Sequence, residues 1–194
     1  DWQLQQHLVQ IARDVEVGFI KNTMVEPANN STARKTAGLA SVITTNVKNN
    51  ADTTLDKDDI LDVMQMCYDN GGLMEGETRV LMVGSTQKRA VSEAFVNATD
   101  GYRWQDSNVG GVNCQSIETD FGKLNVMLNR HVPSDEAYVL SLEDLDVCFL
   151  EVPGKGHFFV EPLSKTGAAD KYQIYGEIGL KYGNQRKHGR LHNI

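Results

Sequence analysis

Between Tyr172 and Tyr182 apolar and polar positions alternate, with Tyr172, Ile174, Gly176, Ile178, Leu180 and Tyr182 on one parity and Lys171, Gln173, Glu177 and Lys181 on the other. A period of two predicts a strand with one face buried and one wet. At about 3.3 Å per residue it would run roughly 35 Å, longer than an ordinary strand. At the other end of the chain, Leu4, Leu8, Ile11, Ala12, Val15 and Phe19 recur at three- and four-residue spacing, separated by Gln5, Gln6, Gln10, Arg13, Asp14 and Glu16. That pattern predicts an amphipathic helix from Asp1 to about Lys21, roughly 30 Å long. Two elements of matching length are expected to lie along each other as an elongated layer, with the middle of the chain forming a separate body.

The middle reads as α+β. Asp56 can open a helix whose first turn carries Asp58 and Asp59, whose inner face is Ile60, Met64, Cys67 and Tyr68, and which Gly71 and Gly72 stop. The run Arg79–Val83 is a buried strand, turned by Gly84 and an N-capping Ser85 into a helix bearing Ala90, Val91, Ala94 and Phe95. Residues 97–111 are rich in turn formers and predict a long loop with Tyr102 and Trp104 as its large side chains. A hairpin follows around the TDFG turn at 119–122, then strands over 137–140 and 146–152.

Composition narrows the classes. The 194 residues and 40% apolar content suffice for one domain or two small lobes. No apolar run approaches the roughly 18 residues of a membrane span. The formal charge of −7 disfavours a broad nucleic-acid surface, which needs a basic field. Cys67, Cys114 and Cys148 are far apart in apolar surroundings with no C-x-x-C spacing, which favours buried thiols over disulfides or zinc.

Catalytic patterns are weak. The turn Gly84–Arg89 (GSTQKR) could offer a phosphate the backbone donors of Ser85 and Thr86 with Lys88 and Arg89, but it has neither of the established glycine-loop spacings. The DFG triplet at 120–122 lacks the accompanying kinase segments and reads as a hairpin turn. The acidic groups at 56–59, 134–136 and 143–146 fall at helix starts and turns, where carboxylates are expected anyway. His188 and His192 are four apart, yet Gly189 and the nearby end of the chain argue against a helical metal pair.

Several segments, taken in order, carry a resemblance: Arg13, Asp14 and Glu16 of the first helix, RKTAGL (34–39), YDNGG (68–72), VGSTQKRAVS (83–92), TDFGKLNVMLNR (119–130), EPLSKTG (161–167), YGEIGL (175–180) and HGRL (188–191). Over nearly its whole length the chain resembles the major capsid proteins of tailed bacteriophages, in the family that includes the shell protein of the Pseudomonas phage SU-ten. The resemblance implies the Hong Kong-97-type capsid fold, an α+β fold shared with encapsulins, in which a spine helix and long strands form a peripheral domain beside a compact axial domain. On that basis residues 1–37 and 155–194 are expected to be peripheral and 38–154 axial. The implied function is structural, without catalysis or cofactor: self-assembly through hexamers and pentamers into a shell enclosing DNA without sequence-specific binding. Scaffolding, portal or decoration proteins are implied partners and a membrane is not; the implied location is the virion, after assembly in the host cytoplasm. An encapsulin-like compartment is the alternative on the same fold, and a nucleotide-binding α+β enzyme built on Gly84–Arg89 the alternative from another class.

Eight residues are expected at subunit interfaces. Tyr102 and Trp104 have the composition of an interface anchor. Arg34, Lys35, Glu161, Lys165, Lys187 and Arg190 lie near the ends of the proposed layer, where ion pairs between neighbouring tiles would form. The chain is also expected to be an N-terminally incomplete piece of a longer protein, because it opens on Asp1 at the start of a helix with no visible cap.

Overall fold

The computed structural model describes residues 2–51, 54–74, 77–96, 104–109, 112–168 and 170–194. The first amphipathic stretch forms α1 (Trp2–Lys21). A polar loop then doubles back, joined by a bridge between Val25 and Lys35, and leads through the short α2 (Leu39–Val42) to β1 (Val47–Asn49). Next come α3 (Lys57–Asp69), β2 (Arg79–Val83) and α4 (Ser85–Val96). The remaining strands are β3 (Trp104–Val109), β4 (Val112–Thr119), β5 (Gly122–Leu128), β6 (Glu136–Ser141), β7 (Asp146–Leu150), β8 (Phe158–Leu163), β9 (Lys171–Lys181) and β10 (Gly189–His192).

Two sheets organise these elements. One has seven strands in the order β1-β10-β6-β2-β5-β4-β3, and the other three in the order β7-β9-β8. The larger sheet carries the main core, in which Ile60, Val63, Met64 and Cys67 of α3 and Val91 and Phe95 of α4 pack with Leu81, Val126, Val139 and Leu191. The sequence signals act as expected here. The Asp56 backbone N–H donates to Asp59 Oδ2 at 2.9 Å, one arm of a capping box, and the chain leaves α3 through Gly71 at φ +86°. The helix start at Gly84 shifts by one residue: Lys88 N–H closes its first turn on the Gly84 carbonyl, so Gly84 and not Ser85 is the N-cap residue.

A second cluster joins the two sheets. Ile20 of α1, Leu39, Ile43, Val132, and Tyr138 and Leu140 of β6 are buried together, with Leu145 and Leu180 packed against them. The two sheets are thus tied by apolar contact where the chain passes between them.

Two expectations need correction. Part of the segment read as a loop, Trp104–Val109, is the edge strand β3, paired antiparallel with β4 from Trp104↔Ile117 to Val109↔Val112; residues 97–103, 110 and 111 lie outside the described residues. Turn-rich composition masked the strand because hydrogen bonding to a neighbour supplies what local propensity does not. Neither parity of the long ribbon is fully buried: Ile174, Gly176, Ile178 and Leu180 are only partly buried, and Tyr172 stays 57% exposed. The sheets group strands from both sides of the expected boundaries at 37/38 and 154/155. β7 belongs with the ribbon β9, whereas β10, at the end of the chain, lies between β1 and β6 of the larger sheet.

Candidate assembly surfaces

Cross-strand register defines the exposed face. In antiparallel pairs, opposed residues share a side of the sheet. Val147↔Leu180, Phe149↔Ile178, Phe158↔Gly176 and Val160↔Ile174 therefore place eight consecutive partners, all but Gly176 large and apolar, on one face of the small sheet. Phe158 lies over Gly176, where a Cβ would come within 2.8 Å of its ring, and Phe149 meets Phe158 edge-on at 6.5 Å. Even so, Val147, Phe149, Phe158 and Val160 remain 38–45% exposed. A contiguous apolar patch of this kind marks an interaction surface.

The spine helix adds to it. Ile11, Val15, Phe19 and Ile178 line a shallow cleft with Gly18 and Arg34, so α1 meets the ribbon through its C-terminal half. Its N-terminal half is uncovered, with Trp2 72% and Leu8 45% exposed. A larger cleft of about 720 Å³ runs between the 24–36 loop and the ribbon, lined by Met24, Val25, Arg34, Lys35, Tyr175 and Ile178 among others. Arg34 reaches Glu177 at 3.7 Å on its rim.

The eight expected interface residues separate into groups. Arg34 and Lys35 share the clefts beside the ribbon. Glu161 on β8 pairs with Lys155, and Lys165 in the β8–β9 turn pairs with Asp170, both on the surface. Trp104 begins the edge strand β3, with its side chain outside the described atoms, and Tyr102 lies outside the described residues. Lys187 and Arg190 find their carboxylates within the subunit. Lys187 Nζ is 2.9 Å from Glu77 Oε1 and from Asp144 Oδ2, which raise its pKa. Arg190 pairs with Glu136 and donates to the Ala40 carbonyl. Neither pairing is legible in the sequence, because the partners stand dozens of residues away.

Other side chains expected to be chemical have structural duties. Lys88 donates to Gln115 Oε1, and Gln87 is buried with bonds to the Ser134 and Ile194 carbonyls. Neither Lys88 nor Arg89 lines the cavity at the α4 N-terminus, which is formed by Gly84, Ser85, Thr86, Leu128, Arg130, Val132 and Ser134. The DFG triplet is the β4–β5 turn, its Phe121 carbonyl accepting from Arg79. Of the cysteines, Cys67 is buried, and burial pushes its thiol up to about 12. Cys148 is exposed on β7, contrary to expectation, because among the described residues no element covers that strand. Among the described residues no cluster of His, Cys, Asp and Glu could hold a metal ion.

The sequence pattern of SU10 major capsid proteins matches residues 1–194. The chain belongs to that family. No curated protein matches it by sequence. Among solved structures it is similar to the encapsulin of the holo-SrpI complex from Synechococcus elongatus, at TM-score 0.69 and 12% identity over 99% of this chain and 64% of that one. It is also similar to the capsid of cyanophage A-1(L), at TM-score 0.63 and 8% identity over 99% of this chain and 69% of that one. The procapsid of satellite phage P4 follows at TM-score 0.57 and 13% identity, covering 100% of this chain and 64% of that one. These likenesses establish the Hong Kong-97-type fold for the major capsid chain, which spans about 64% of the encapsulin's length.

Proposed function

We propose that this major capsid chain is a shell tile that assembles with copies of itself, through hexamers and pentamers, into an icosahedral head enclosing phage DNA. The observation that carries the reading is the small sheet: on its apolar face Val147, Phe149, Phe158 and Val160 stay 38–45% exposed, while Ile178 of the same face meets α1. Burying such a face stabilises association by about 25 cal/mol per Å² before the costs of ordering are met. In this reading the seven-stranded sheet with α2–α4 is the axial body, and α1 with the three-stranded sheet is the peripheral one. Arg34, Lys35, Glu161 and Lys165 add salt-sensitive contacts at the periphery, and Trp104 and Tyr102 an anchor at the sheet edge. Scaffolding, portal or decoration proteins bind the same shell, which matures from host cytoplasm to virion.

The test is electron microscopy of the complete gene product beside a Phe149→Asp, Val160→Asp variant. Both side chains are already exposed, so the isolated variant subunit is expected to melt like the parent and to lose regular shells. Normal shells from the variant would overturn the assignment of this face. The contents of parental shells separate the two uses of the fold: nucleic acid supports a phage head, whereas protein cargo supports an encapsulin-like compartment.

A further inference from the structure

Two chain segments connect the sheets. One runs from Ser141, at the end of β6, through a 3-10 turn at Leu142–Asp144 into β7. The other runs from Lys181, at the end of β9, through Gly183 and a 3-10 turn at Gln185–Lys187 into β10. Between them lies His188, fully buried and bonded to both. The Ser141 backbone N–H points at His188 Nδ1 at 3.3 Å, and the Tyr182 carbonyl lies 3.0 Å from Nε2.

These partners dictate the state of the ring. A backbone N–H can only donate, so Nδ1 must be bare; a carbonyl can only accept, so Nε2 must carry the proton. Neutral imidazole in that tautomer satisfies both segments at once. A second proton would put an N–H on Nδ1 facing the N–H of Ser141, replacing a hydrogen bond with two opposed donors in a buried site. We propose that His188 is a proton-sensitive latch between the two sheets, holding the neck closed when neutral and releasing the Ser141 side when it gains a proton.

The charged and titratable groups around it are known from each packed element: Glu143 and Asp144 on the first crossover, Tyr182, Arg186 and Lys187 on the second, Glu77 before β2, and Cys67 on α3. Burial holds His188 below the ordinary histidine range, outweighing the Tyr182 carbonyl and the carboxylates of Asp144 and Glu77, which favour the charged ring. Because the folded-state value is lowered, the latch is complete above the ordinary histidine pKa, about 6.5. It is lost as pH falls from there through the lowered value. The Lys187–Asp144 ion pair bridges the same two turns, so protonation of His188 loosens this junction without dissolving it.

The experiment is amide hydrogen exchange on the full-length, unassembled subunit, expressed as protection so that the intrinsic pH dependence is removed. In the parent, protection at Ser141–Asp146 and Tyr182–His188 is expected to fall by up to about tenfold per pH unit between about 6.5 and the lowered pKa and to level off below it, while the α3 core stays constant. His188→Gln keeps an acceptor for Ser141 and a donor for Tyr182 without titrating, so its protection should not vary with pH. Constant protection in the parent, or the same fall in the glutamine variant, would overturn the latch. If that variant does not fold, the ring resonances of His188 in the parent decide: protonation must move the Ser141 amide resonance with the same midpoint, and independent midpoints would refute the proposal.

Discussion

Lys187 Nζ lies 2.9 Å from Asp144 Oδ2, so the turn by which the chain leaves the small sheet is ion-paired to the turn by which it enters that sheet. The same ammonium is 2.9 Å from Glu77, and all three side chains are largely covered. Lys187→Met is expected to destabilise the subunit by about 1 kcal/mol, read from the urea midpoint, with the loss shrinking in high salt. Unchanged subunit stability together with impaired assembly would instead return Lys187 to an inter-subunit role.

Arg190 reaches from β10 to Glu136 on β6, whose other carboxylate oxygen accepts from the buried Tyr138 hydroxyl. Removing the cation leaves Glu136 charged and half-served in the sheet. Arg190→Met is therefore expected to cost about 3 kcal/mol in equilibrium unfolding, far more than loss of a surface pair. A loss below about 1 kcal/mol would show that the pair is effectively solvated.

The cysteines should react in a fixed order. In a Cys114→Ser background, maleimide is expected to modify Cys148 in the native subunit and Cys67 only on unfolding, because Cys67 is buried with its Sγ accepting from Asn46. Intact mass with peptide mapping checks this.

Asp59 links acid stability to the start of α3. Burial alone would raise its pKa, but the Asp56 N–H and the Lys48 ammonium at 2.9 Å outweigh burial and hold it below the usual value. A lowered folded-state pKa contributes stability above the unfolded value, about 3.9, that is lost as pH falls through the folded one. Asp59→Asn should destabilise the subunit at neutral pH and flatten the stability curve below about pH 4, measured by urea titration at several pH values. A parallel curve would remove Asp59 from the acid transition.

Local patterns determined the elements whose causes are local. The three- and four-residue spacing in α1, the acidic start and glycine stop of α3, the TDFG turn and the alternation of β9 all act through neighbours a few residues apart. The ordered segments from Arg13 to Leu191 likewise sufficed for the family and its fold. Tertiary structure alone decided what depends on distant pairing. Trp104–Val109 is a strand because β4 supplies its hydrogen bonds, and Cys148 is exposed because no described element covers its side of β7. Arg190 and Lys187 face inward because Glu136, Glu77 and Asp144 are brought to them by the sheet order. His188 joins the two sheets because β10 returns from the ribbon to lie between β1 and β6, a placement set by packing that no periodicity records.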